Sequence, residues 1–165
     1  MNKIATLVAI AVIGAQLFKA TAPTTTTDLA TRCGMTEREF ILVSSITEAE
    51  SNRSQDPEDL DGRILIAVTI LNRVNDTSGA FPNTIEGVLN QPGQFATMRN
   101  GEPICSNTEL SDEAVVQAVE LIEAGEAPAV FFFNCIGFNS LGEPYGDGPV
   151  GGNYFMTWEA EEWQN

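Results

Sequence analysis

Between Leu60 and Val74 the chain reads LDGRILIAVTILNRV, with Leu60, Ile64, Ala67, Val68, Leu71 and Val74 recurring at spacings of three and four. That period marks a helix with an apolar face. Ile66 and Ile70 carry the apolar surface round to a further face, so this helix is expected to be buried, with other elements packed around it. Its expected start is Asp56-Pro57-Glu58-Asp59, which offers a cap, a proline at the first turn and acids toward the positive end of the helix dipole.

The packing partners can be read on either side. Thr36-Glu-Arg-Glu39 is a capping box, in which the Thr hydroxyl accepts from the amide of residue 39 and Glu39 reaches back. Phe40, Val43 and Ile46, with Ala49 or Glu50, then follow helical spacing. After a loop by composition at Asn75 to Asn83, a short helix is expected over 84–90. Asn100-Gly101 is a turn candidate between two short strands. Ser111 is read as the cap of a helix running from Asp112 to about Ala124, with Gly125 as its stop. Ala129 to Phe133 reads as a short buried strand, 136–153 as mostly loop, and Asn153 to Met156 as a last strand. Several helices and a few short strands without a βαβ rhythm give an α+β fold, predominantly helical. At 165 residues this is one domain.

The charge narrows the partners. Eight basic residues stand against 23 acidic ones, a net −15, and both lysines, Lys3 and Lys19, lie near the N-terminus. No basic stripe is present to displace phosphate counterions, so no nucleic acid is expected as a partner. Met1-Asn2-Lys3, the apolar run Ile4 to Phe18 and Ala20-Thr21-Ala22 have the order of an export signal, with cleavage expected after Ala22. An uncleaved anchor is the alternative, and the membrane is then met only through this leader. Cleavage removes both lysines and takes the charge to −17. The expected organisation is a leader at 1–22, a linker at 23–35 and a domain at 36–165. In an exported chain two of Cys33, Cys105 and Cys135 can pair, and Cys105 with Cys135 is the preferred bridge, each lying near the end of an expected element. Buried thiols are the other reading.

Chemistry is limited by what is missing. The chain has no histidine, which removes Ser-His-Asp and Cys-His constellations and leaves no zinc-type ligand spacing. Neither a phosphate-binding loop nor a dinucleotide fingerprint is present. Carboxylate chemistry remains, and glycoside cleavage is its leading form, because a protonated Glu can donate to a leaving oxygen without a cofactor. The stretch SITEAESN offers Glu48 and Glu50. Residues two apart on a helix point about 200° apart, so only one of them can serve a given site and the other is expected in solvent. A general acid is expected among apolar walls that raise it from ~4.3 toward ~6, with Ile46, Phe95 and the Phe131–Phe133 cluster as candidates.

SITEAESN, GRILIAVTILNRV and FPNTIEGVLNQPGQF, taken in order, resemble the cell wall hydrolase family typified by the spore-cortex lytic enzyme SleB. That family shows A-E-A-R-G-E, a G-Q-x-A-V-A-x-V-x-L-N-R-V helix, F-P-x-T and Q-x-x-Q-F. Later, Val130 to Asn134 resembles its aromatic segment and Gly152 to Phe155 its closing strand, so the likeness covers roughly residues 40–156. The resemblance implies a lysozyme-like domain that cuts peptidoglycan glycan strands without a cofactor or metal, usually as a lytic transglycosylase. It places the catalytic glutamate on Glu48, while Glu50 falls where the family usually has arginine or another variable residue. It places Gln94 and Phe95 in the cleft as substrate contacts, with Asn134 a further candidate. In a transglycosylase one carboxylate suffices, because the sugar's own C6 hydroxyl replaces water. Hydrolysis would need a second acid, and none has a strong claim.

The family often has histidine where Phe133 and Tyr154 stand. Those departures and the charge keep open a non-catalytic envelope or phage structural protein on the same fold. A phage lysis enzyme and a bacterial wall-remodelling enzyme are equally compatible with the sequence.

Overall fold

The computed structural model describes residues 24–52 and 56–158. The expected leader lies outside those residues. Among the described residues five helices and two small antiparallel sheets follow one another: α1 (Thr26–Arg32), α2 (Glu37–Ser51), α3 (Leu60–Val74), α4 (Ile85–Leu89), β1 (Met98–Arg99), β2 (Glu102–Pro103), α5 (Glu109–Ala124), β3 (Val130–Asn134) and β4 (Tyr154–Thr157). The architecture is α+β and mainly helical, as expected.

The apolar helix is the centre of the molecule. α2, α5 and β3 all pack on α3, and every α3 residue from Gly62 to Leu71 is buried. Ile66, Val68 and Ile70 are fully shielded from solvent, each contributing about 1.5–3 kcal/mol of transfer free energy. Thr69, equally buried, is accommodated because its hydroxyl donates to the carbonyl of Leu65, 2.8 Å away.

Helix starts follow side-chain chemistry, with two corrections. Thr36 forms the expected capping box with Glu39 at the head of α2. α3, however, begins after Asp59, whose Oδ1 accepts from the amide of Gly62. Asp56 instead holds the preceding turn, accepting from the amide of Glu58. At α5 the cap is Thr108, three residues before Ser111: Thr108 Oγ1 accepts from the Ser111 amide, and Ser111 Oγ accepts from the Thr108 amide. Gly125 ends α5 in the left-handed region (φ 70°), as its lack of a β-carbon permits.

The segment expected to be a linker contains α1. Its Thr25–Asp28 capping box starts the helix, and Ala30 and Cys33 bury against the core, outweighing a threonine-rich composition that reads as irregular. Asn100 (φ 53°) and Gly101 (φ 81°) form the tight turn between β1 and β2. β4 pairs antiparallel with β3, placing Phe133 opposite Phe155 and Asn134 opposite Tyr154.

Candidate active site

Glu48 lies in the last turns of α2 with its side chain 16% exposed. Three donors surround its carboxylate. Arg63 of α3 donates from Nε to Oε2 (3.0 Å) and from Nη2 to Oε1 (3.1 Å), and Thr108 Oγ1 donates to Oε2 (2.9 Å). Arg63, only 6% exposed in its side chain, also donates from Nη1 to the carbonyl of Asp59 (2.7 Å). Thr108 is brought there by a polar bridge from α2 to the first turn of α5. Ser44 Oγ lies 2.9 Å from Ser111 Oγ and donates to Asp112 Oδ1 (2.5 Å), which also accepts from Asn107 Nδ2.

The hydrogen bonds from Arg63 hold the Glu48 carboxyl below its ordinary value of 4.5; partial burial opposes them, and Thr108 and the charge of Arg63 add to them. This corrects the apolar surroundings expected for Glu48. Ile46 is two residues away on the same helix and points into the core, by the same rotation that parts Glu48 from Glu50. Phe95 and Phe133 pack on each other, and Phe95 stands against a different arginine, Arg73. Glu50 is not in open solvent either: it is half-buried and accepts from Thr97 Oγ1 at 2.6 Å.

A groove of about 630 Å³ runs along α2 between Arg38, Ile41 and Ser45 on one side and residues 102–107 on the other. Glu48 stands one turn beyond Ser45 on the same face of α2. Asn107, at the groove's edge, immediately precedes Thr108. Cys105 in the wall donates to the carbonyl of Ser45 (3.6 Å), and its thiol is pushed up by burial and by the charge of Glu48.

The remaining expected site residues gather elsewhere. Gln94 accepts from Arg73 Nη1 (3.1 Å), and the Arg73 guanidinium stands 5.4 Å from the Phe95 ring. Arg73 is 3% exposed, also donates to the carbonyl of Phe131 (2.7 Å), and faces the rings of Phe81 and Phe132. Burial lowers it to about 10. The structure therefore joins Gln94 and Phe95 to the far end of α3 and does not place them against Glu48. Phe95 is 5% exposed and part of the core. Asn134 Oδ1 accepts from the amides of Ile136 and Gly137, closing the turn after β3. Asn72 ties α3 to the entry of β3 through the carbonyls of Pro128 and Val130. Trp158 packs edge-on against Phe81 and Phe131.

The expected Cys105–Cys135 bridge is not made. Cys105 is a free thiol turned to α2, while Cys135 lies just past the end of β3. Arg63 and Thr108 are not among the site residues expected from the sequence. The signal for Arg63 is an arginine near the start of a largely apolar helix, which demands an acceptor from another element; nothing local marks Thr108. Arg63 also stands where the family pattern quoted above has glutamine after glycine.

A site of this kind presents one carboxylate fixed by two donor side chains beside a groove, suited to exchanging a single proton with a bound molecule. The family model described as Cell Wall Hydrolase matches residues 57–138, a segment that starts after Glu48 and includes Arg63, Gln94, Thr108 and Asn134. The chain is 31% identical over 104 residues to the spore cortex-lytic enzyme of Bacillus cereus, covering 61% of this chain and 36% of that protein. It is 35% identical over 77 residues to the spore cortex-lytic enzyme of Bacillus subtilis, covering 47% of this chain and 24% of that protein. The match thus spans about a third or less of the length of these curated relatives. The catalytic domain of the Bacillus cereus SleB protein superposes with a TM-score of 0.49 and 20% identity, over 87% of this chain and 100% of that one.

Proposed function

Because the chain belongs to the cell wall hydrolase family, we propose that it cuts the glycan strands of peptidoglycan as a lytic transglycosylase, with Glu48 as acid and then base. The observation that carries this reading is the placement of Glu48, held by three donors one turn beyond the groove along α2. In the first step Glu48, protonated, gives its proton to the glycosidic oxygen as the bond from that oxygen to C1 breaks. In the second step the carboxylate takes the proton of the same sugar's C6 hydroxyl, whose oxygen closes on C1 to form a 1,6-anhydro ring. Atoms and charge balance without water. Glu50, the nearest acid along the chain, is engaged by Thr97, which supports a single-carboxylate route over hydrolysis with two. We place this activity outside the cytoplasmic membrane, reached through the leader read at residues 1–22.

A second reading has its own observation. Two bidentate-paired charges between α2 and α3 are also what a purely structural ion pair looks like, as a non-catalytic envelope or phage protein would have. Digestion of purified sacculi by the wild type and by Glu48→Gln separates them. Anhydro-ended fragments by mass spectrometry, lost in the variant, support the lyase. Plain reducing ends point to hydrolysis, and intact glycan from folded wild type supports the structural reading.

A further inference from the structure

Three donors occupy three of the roughly four acceptor directions of the Glu48 carboxylate. Oε2 has two, Arg63 Nε and Thr108 Oγ1, whereas Oε1 has only Arg63 Nη2. The donors come from two separate elements, α3 and the cap of α5, and the guanidinium is itself fixed by the Asp59 carbonyl. Such a fork sets the plane of the carboxylate as well as its position.

Resting on Glu48 as the acid and base, we propose that Arg63 is the positioning residue of this site: with Thr108 it anchors Oε2, leaves Oε1 as the oxygen that exchanges a proton with substrate, and sets the pH range over which the protein works. Arg63 touches Glu48, and its effect on the reaction passes through that carboxylate.

The direction follows from the charges that face Glu48. Arg63 and Thr108 favour the ionised form. The Cys105 thiol, turned to the carbonyl of Ser45 on α2, is near enough to feel the charge of Glu48, and burial and that charge both push it up. Asp112 is turned to Ser44 and Asn107, and Asp59 contributes its backbone carbonyl to Arg63. The resting site is therefore a ready base and a reluctant acid. Cleavage should speed up as pH falls toward and below 4.5, where the protonated fraction of Glu48 grows. Removing Arg63 lets Glu48 keep its proton to higher pH, so the descending limb of the rate profile moves up.

The test is the pH dependence of kcat/KM on soluble glycan fragments for wild type, Arg63→Gln and Thr108→Asp, beside Glu48→Gln. Thr108→Asp retains a good helix cap while replacing the donor with a like charge, so it stands in if Arg63→Gln does not fold. A 13C titration of the Glu48 carboxyl in each folded protein gives a readout besides rate. Both variants are expected to raise the limb and the carboxyl midpoint by about one unit or more, roughly a tenfold change in protonated fraction at fixed pH. Arg63→Gln is also expected to lower the maximal rate. A uniform loss of rate with both midpoints unmoved overturns the role of Arg63 while the function stands, provided Glu48→Gln is inactive. Activity retained by Glu48→Gln, or none in the wild type, overturns the function and this inference with it.

Discussion

Gly62 at the head of α3 and Gly151 in the loop before β4 meet backbone to backbone: a β-carbon on Gly62 would lie 2.7 Å from the Gly151 Cα and 2.2 Å from Asp59 Oδ2. The contact lets the late loop close over the turn that caps α3, one helical step from Arg63.

Gly62→Ala is therefore expected to destabilise the protein by about 1–3 kcal/mol, since backbone must shift, despite the better helix propensity of alanine. Gly148→Ala, where nothing lies within 4 Å, should be close to neutral. Urea unfolding of both variants checks the contrast.

The Glu48–Arg63 pair makes stability depend on acid. The folded carboxyl is held below 4.5, so its contribution is fully present above the unfolded value and is lost as pH falls through the folded one. The wild type is expected to lose this contribution across that window. Glu48→Gln, less stable at pH 7 because Arg63 is left without its counter-charge, should lose less on acidification. Melting temperature against pH for the two proteins should converge at the acid end.

Arg73 is held by a carbonyl, an amide oxygen and three rings, and among the described residues no carboxylate pairs with it. A lysine cannot span those acceptors with a planar fork. Arg73→Lys should cost about 1–3 kcal/mol and free the Gln94 amide, seen as a lower denaturant midpoint and a changed Gln94 side-chain resonance.

Without a bridge to Cys135, Cys105 should react with a maleimide in the native, unreduced protein. Cys33 is 9% exposed, with burial pushing its thiol up to about 11, and should react only on unfolding. Mass mapping of labelled peptides over time reads the order. A Cys105–Cys135 peptide pair in unreduced digests would contradict the structure.

Elements announced by local chemistry were legible in the sequence. Thr36 with Glu39, Asn100-Gly101 and Gly125 each act through neighbours a few residues away, and the α3 period reports burial directly. Where two capping residues stood close together, the choice was made by geometry that composition does not carry: Asp59 over Asp56, Thr108 over Ser111. α1 was hidden because its burial depends on α2 and α5. At the candidate site the motif points to Glu48, but its polar surroundings are not legible in the sequence, because Arg63 lies 15 residues away on another helix and Thr108 lies 60 away. Phe95 and Gln94 looked like cleft residues for the same reason: their partner, Arg73, is 21 residues from Gln94.

Among the described residues α3 carries both buried guanidiniums, Arg63 toward Glu48 and Arg73 toward Gln94. One residue inserted between them would swing one arginine about 100° and slide it ~1.5 Å relative to the other. The helix can thus exchange many of its apolar side chains for others of like volume, yet its register is fixed at both ends, and variation by insertion or deletion is confined to the loops outside it.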